Sequence, residues 1–254
     1  MTSLPTSRFP IEVDGETATI GSAAELAVTL DVLQGQHDRL VLEQLRPHLP
    51  AVIGNPLGLL ATFRSLEPAD QMYLVEALGT NLAELIGGAG RLRDLLAVLA
   101  DATVEESLLR TLGRAGLRRL VLTAAELSEV LQWIYGSNDG LVLELLGGEY
   151  VEGLLRSSRD LSLVLHSLDE ATQTQLIEGL GWPKVRALSR NGHDLAQLLR
   201  ALPGSLGVQL LSQYSGEQLV SLIGNERDWD YLCRRLEGDE AATLYRILGV
   251  RADA

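Results

Sequence analysis

Apolar residues along this chain fall into leucine frames that return almost unchanged. The first leucine of each frame stands at Leu26, Leu59, Leu92, Leu127, Leu161 and Leu195, with Trp229 in the seventh place, so the steps are 33, 33, 35, 34, 34 and 34. Within a frame the apolar positions are 0, +3, +4 and +7, as in Leu161, Val164, Leu165, Leu168 and again in Leu195, Leu198, Leu199, Leu202. That spacing lays one stripe along a helix of 3.6 residues per turn. Ser22 to Glu25 and Thr123 to Glu126 read as capping boxes at two of these helix starts. A polar stretch follows, then a second helix with pairs such as Leu74, Val75, Leu78 or Leu176, Ile177, Leu180.

The second helix ends on a glycine in five of seven frames, Arg46 and Ser215 being the exceptions. Glycine there suits a left-handed residue that stops a helix without a Cβ clash. A brief third helix comes next, for example Leu82, Leu85, Ile86, with Pro47 and Pro183 at the first turn in two frames and Asn55, Asn191 and Asn225 expected to close it in left-handed geometry.

A fixed period of this length is the mark of a stacked array in which each unit buries its apolar face against its neighbours. The predicted fold is all-α: a right-handed superhelical α-solenoid of about seven 34-residue repeats, up to three short helices each, with a short N-terminal β-hairpin-like cap. The predicted boundaries are an extension over residues 1–21 and a solenoid over 22–249. Its repeats are 22–55, 56–88, 89–122, 123–157, 158–191, 192–225 and an incomplete 226–249, followed by a tail at 250–254. The hairpin is read from β-branched residues alternating around Asp14-Gly15.

These units resemble the α-solenoid class, which includes tetratricopeptide, HEAT, armadillo and Pumilio-type arrays. The resemblance covers residues 22–249 and is one of architecture. Three helices per unit look more like armadillo or Pumilio repeats, but no set of base-reading side chains recurs in one column. The tetratricopeptide pattern is absent, as is the glycine-rich base-reading loop of plant-pathogen effector repeats. No functional residue is carried over from any of these families.

Composition narrows the partners. A formal charge of −13 over 254 residues argues against nucleic acid, whose phosphates demand a basic surface, and against anionic membranes. It fits a protein or peptide partner, basic in character, and it also keeps a leucine-rich chain in solution. The single cysteine, Cys233, excludes a disulfide framework and a cysteine zinc cage, and its place in an apolar column predicts a buried thiol. The first residues lack the cationic start and apolar run of a secretory signal, and no window is long and apolar enough for a membrane span, so the expected location is cytoplasmic.

No catalytic, metal or cofactor motif is present: Gly87 to Gly90 links two helices without a phosphate-loop lysine, and His37, His48, His166 and His193 are dispersed. His166 falls in a column of polar residues and is expected to face solvent. Three surface features remain. Glu43, Glu76, Glu144 and Glu178, with Arg110 in the interrupting place, form a column on the second helices that could track a basic segment. Arg110, Arg114, Arg118 and Arg119 could receive an acidic motif, or else serve as helix-end charges pairing with Glu105 or Glu106. Trp133, Tyr135, Tyr150 and Trp182 concentrate rings in a chain only 4% aromatic, and such rings are interface anchors as often as they are core.

The expected function is a non-enzymatic protein–protein interaction scaffold that binds a peptide or protein surface along its concave face. The alternatives are an enzyme or small-ligand-binding protein with its site between repeats, seeded by Asp160, His166, His193 and Asp194, or a self-associating module forming a homodimer through its incomplete last unit.

Overall fold

A computed structural model describes residues 7–234, 236 and 238–249; the expected tail at 250–254 lies outside the described residues. The chain is mainly α-helical, preceded by one antiparallel hairpin. Strands β1 (Phe9–Val13) and β2 (Glu16–Ile20) pair in the register Phe9 with Ile20 through Val13 with Glu16. Asp14 and Gly15 both take positive φ, 52° and 81°, as a two-residue turn that matches the strand twist requires.

The helices follow in order: α1 (Ala23–Leu33), α2 (Asp38–Leu45) and α3 (Leu49–Ile53); α4 (Pro56–Arg64), α5 (Pro68–Leu78) and α6 (Leu82–Ile86); α7 (Ala89–Leu96) and α8 (Ala102–Leu120). Then come α9 (Ala124–Leu131), α10 (Asp139–Leu146) and α11 (Gly148–Leu154); α12 (Ser158–Leu165), α13 (Glu170–Leu180) and α14 (Trp182–Ala187). The last are α15 (Gly192–Ala201), α16 (Gly204–Leu211) and α17 (Gly216–Ile223), then α18 (Glu226–Cys233) and α19 (Gly238–Leu248). They fall into two compact units, one of residues up to 122 together with 133–146, the other of 123–132 together with 147 onward.

In the first unit, α1 packs on α4 and α4 on α7, while α2, α5, α8 and α10 pack in succession. Leu26, Leu59 and Leu92 are buried at these contacts. The α1–α4 approach is close: a Cβ on Gly58 would sit 2.7 Å from the Cβ of Ala23 on α1. The hairpin rests on α2. Gln44 from α2 donates to the Glu12 carbonyl and accepts from the Glu12 amide, both at 2.8 Å, as an added strand would. Ile11 and Ile20 are buried beneath it, and Phe9 stacks on His48 at 3.9 Å.

In the second unit α9, α12, α15 and α18 pack in succession around buried Leu127, Leu161 and Leu195. Small buried serines allow the approach. Ser128 donates to the Leu163 carbonyl at 3.1 Å, and Ser162, 34 residues later, donates to the Gln197 carbonyl at 3.2 Å. Trp229 is half-buried where the earlier frames bury leucine, and Cys233 is likewise half-buried instead of fully enclosed. Both lie on α18, which has a packed first-helix neighbour on α15 but, among the described residues, no following helix of its own kind.

Helix ends correct two expectations. The glycines after the second helices do have positive φ, but with extended ψ: 81° and 141° at Gly147, 73° and 148° at Gly181. This region is harder on side chains than the left-handed helix region, which asparagine tolerates. At Gly113 the same geometry (φ 56°, ψ −169°) divides α8 into two helical segments, so the glycine there too marks the end of a second helix. Asn55, Asn191 and Asn225 do not close the third helices. Their backbones are extended, and their side chains accept the Gly58, Asp194 and Asp228 amides as N-caps of the helices that follow. Gly54 and Gly224, one residue earlier, supply the left-handed closure at two of the three. The Ser22 cap is also modified: Ser22 accepts the Glu25 amide, while Glu25 reaches past it to the Gly21 amide at 2.7 Å.

Candidate functional site

The glutamate column is exposed throughout: Glu43 on α2, Glu76 on α5 and Glu144 on α10 in the first unit, Glu178 on α13 in the second. Glu43 takes Arg39 one turn away at 3.3 Å, and Arg110 in the same column takes Glu106 at 2.8 Å. Such exposed pairs within one helix contribute little to stability.

The arginine group is largely committed to the fold. Arg118 donates to the Leu146 carbonyl at 2.9 and 2.6 Å, and Arg114 lies 3.4 Å from the Leu145 carbonyl, so both cover the C-terminal end of α10. Cations at that end complement the helix dipole. Arg119 is exposed.

The seeds of an active site are also taken. Asp160 accepts the Arg156 amide at 3.1 Å and the Ser157 hydroxyl at 2.9 Å; Asp194 accepts the Arg190 amide at 3.1 Å and the Ser158 hydroxyl at 2.8 Å. Both repeat the helix-start role of Glu25. His166 is exposed, with Nδ1 2.6 Å from the Ser162 carbonyl, and His193 stacks on Tyr231 at 4.5 Å. Among the described residues no three His, Cys, Asp or Glu side chains are placed to hold a metal ion. A broad cleft of about 1070 Å³ lies between α15, α16 and α19, its lining of mixed sign: Arg200 from α15 with Asp239, Glu240 and Arg246 from α19.

The aromatic residues divide. Tyr150 and Trp182 are half-buried at the starts of α11 and α14. Trp133 and Tyr135 are 52% and 45% exposed, on the segment that precedes α10 in the first unit.

What holds this segment is Glu105, expected from the sequence as an ion-pair partner of the arginine group but turned inward in the structure, where Glu106 takes that role with Arg110. Glu105, on α8, is fully buried. Its carboxylate accepts the Tyr135 backbone N–H at 3.1 and 3.2 Å and the Asn138 side-chain amide at 2.8 Å; Asn138 also donates to the Ala102 carbonyl at 3.0 Å. Burial raises the Glu105 pKa above the ordinary carboxylate range, against the lowering effect of the Asn138 and Tyr135 hydrogen bonds.

Glu105 belongs to a column. Asp38, Gln71, Glu105, Asp139 and Gln173 stand 33, 34, 34 and 34 apart, the first four buried. Gln71 does the same work one turn of the pattern earlier: its oxygen accepts the Ala100 amide at 3.0 Å, and its nitrogen donates to the Phe63 carbonyl at 2.8 Å. Gln173 donates to the Leu165 and Leu168 carbonyls at 2.7 and 3.1 Å. The signal was present as a polar residue at a fixed offset before the apolar pair in five of the seven frames, Gly207 and Ala241 standing there in the last two, but sequence alone gives no reason to place glutamate or aspartate inside.

The fold defines a class, an all-α chain of packed neighbouring helices behind a two-stranded hairpin. No model of a known protein family, no curated protein and no solved structure matches the chain. No helix among the described residues is long and apolar enough to cross a membrane.

Proposed function

We propose that the chain is a right-handed α-solenoid of about seven 34-residue repeats acting as a non-enzymatic scaffold for a protein or peptide partner. Trp133 and Tyr135 are its anchors. One observation carries this reading: two large exposed rings sit two residues apart on a segment whose backbone is fixed by the buried carboxylate of Glu105. Large rings on a held backbone have few rotatable bonds to freeze on binding, which is what makes such residues strong contacts. The exposed glutamates at Glu43, Glu76 and Glu144 favour a partner with basic character at the rim, where charge sets approach more than affinity. The commitment of Asp160 and Asp194 to helix starts leaves the enzymatic alternative without its carboxylates.

The test is quantitative capture from native lysate with the wild-type chain and with Trp133→Ala/Tyr135→Ala, after circular dichroism shows that the variant is folded. Anchors of this kind are each worth about 2 kcal/mol or more, so the specific partner should fall by roughly thirtyfold or more. A partner retained equally by both chains would refute this placement.

A further inference from the structure

The buried column sets up a comparison between successive helix contacts in the first unit. Position 105 faces Asn138, whose amide donates to it. The positions 34 and 68 residues before Asn138 are Val104 and Asp70. Where the column residue is Gln71, both of its polar atoms are satisfied by backbone. Where it is Asp38, neither carboxylate oxygen makes a hydrogen bond of good geometry, although the side chain is 1% exposed. On α5, which packs on α2, another acid stands close by: Asp70 is only 14% exposed and lies 4.0 Å from Arg39, the residue next to Asp38. An aspartate is one methylene too short to reach the next loop as Gln71 and Glu105 do, and Asp70 has no proton to donate when ionised.

We propose that Asp38 and Asp70 form an acid-sensitive joint, in which a proton held between the two carboxyls fastens α2, and the hairpin it carries, onto α5 in mild acid, and its loss with rising pH loosens that contact. The surroundings favour the neutral form. Burial acts most strongly on Asp38, followed by the charges of Asp70, Glu67 and Asp31, while the Gly35 amide offsets only part of this; the Asp38 pKa is raised. Burial raises Asp70 too, with Arg39 opposing.

Of the other charged groups on the elements packed against α2, Arg39 reaches the joint and the rest are paired elsewhere or face solvent. Arg39 is shared among Asp70 at 4.0 Å, Glu43 at 3.3 Å and the Tyr73 ring at 3.6 Å. Arg46 lies 6.0 Å from the same ring. His37 pairs with Asp14 at 3.2 Å, His48 stacks on Phe9, and Glu12 and Glu76 are exposed. A carboxyl whose folded pKa exceeds its unfolded value stabilises the fold below that window, and the contribution is lost as pH rises through it.

Hydrogen exchange of the full chain, read by mass spectrometry at about pH 4 and about pH 7.5 and corrected for the intrinsic rate, tests the joint. In the wild type, protection over residues 38–45 and 68–78 should fall several-fold at the higher pH. Asp38→Asn should hold it at the wild-type acid level at both. Glu105→Gln, in the same column but fully hydrogen-bonded, should keep the wild-type fall over residues 38–45. If Asp38→Asn fails to fold, Asp70→Asn is read in the same way. Equal wild-type protection at both pH values would overturn the joint, as would a fall that survives the Asp38 or Asp70 variant or one that Glu105→Gln abolishes.

Discussion

Glu105 shows how one buried side chain can set the conformation of a distant surface. Its two oxygens receive N–H groups from Tyr135 and Asn138, and among the described residues no cation pairs with it. Glu105→Ala would leave those donors facing an apolar hole; an unmet buried donor costs about 1–3 kcal/mol. Glu105→Gln keeps one acceptor oxygen and should cost less. Because burial raises the Glu105 pKa, its ionisation weakens the folded state as pH rises through the interval above the ordinary glutamate value of about 4.3. Glu105→Gln should therefore flatten the pH dependence of unfolding on the neutral side, and chemical denaturation across pH measures this. Asp94 and Asp169 have the opposite sign: the Arg93 side chain and the Thr172 amide lower their pKa values, so what they contribute is lost as pH falls through the carboxylate range. Asp169 is exposed and Asp94 half-buried in contact with solvent, and their weight in the profile is small.

Helix termini carry much of the information in the individual elements. The apolar spacing was legible because a buried stripe must repeat every three or four residues, and Leu26 through Leu195 are all inside. The hairpin was legible from Asp14-Gly15. The asparagines were misread because the same residue type serves both helix ends, and only the preceding Gly54 and Gly224 decide which. This yields a paired expectation. Gly181→Asn should destabilise by about 1–3 kcal/mol, since its φ of 73° with ψ of 148° excludes side chains, whereas Gly54→Asn, at φ 66° and ψ −28°, should cost markedly less. Thermal unfolding of the two variants gives the comparison directly.

At the scale of the whole chain, the account rests on equivalence between segments 34 residues apart. The surface column of Glu43, Glu76 and Glu144 could be read from spacing, but the buried column of Asp38, Gln71 and Glu105 could not, because polarity alone suggests exposure. Only the loop amides at Ala100 and Tyr135, which these side chains reach, explain their burial. The same equivalence accounts for the serines at 128 and 162, each meeting a carbonyl 35 residues on. Removing residues 56–88 in frame is the most direct measurement of it. If the segments are interchangeable modules, the shortened chain should fold with unchanged helicity per residue and a cooperative thermal transition. Loss of the helical circular dichroism signal, or an unfolded chain at ambient temperature, would contradict the modular account.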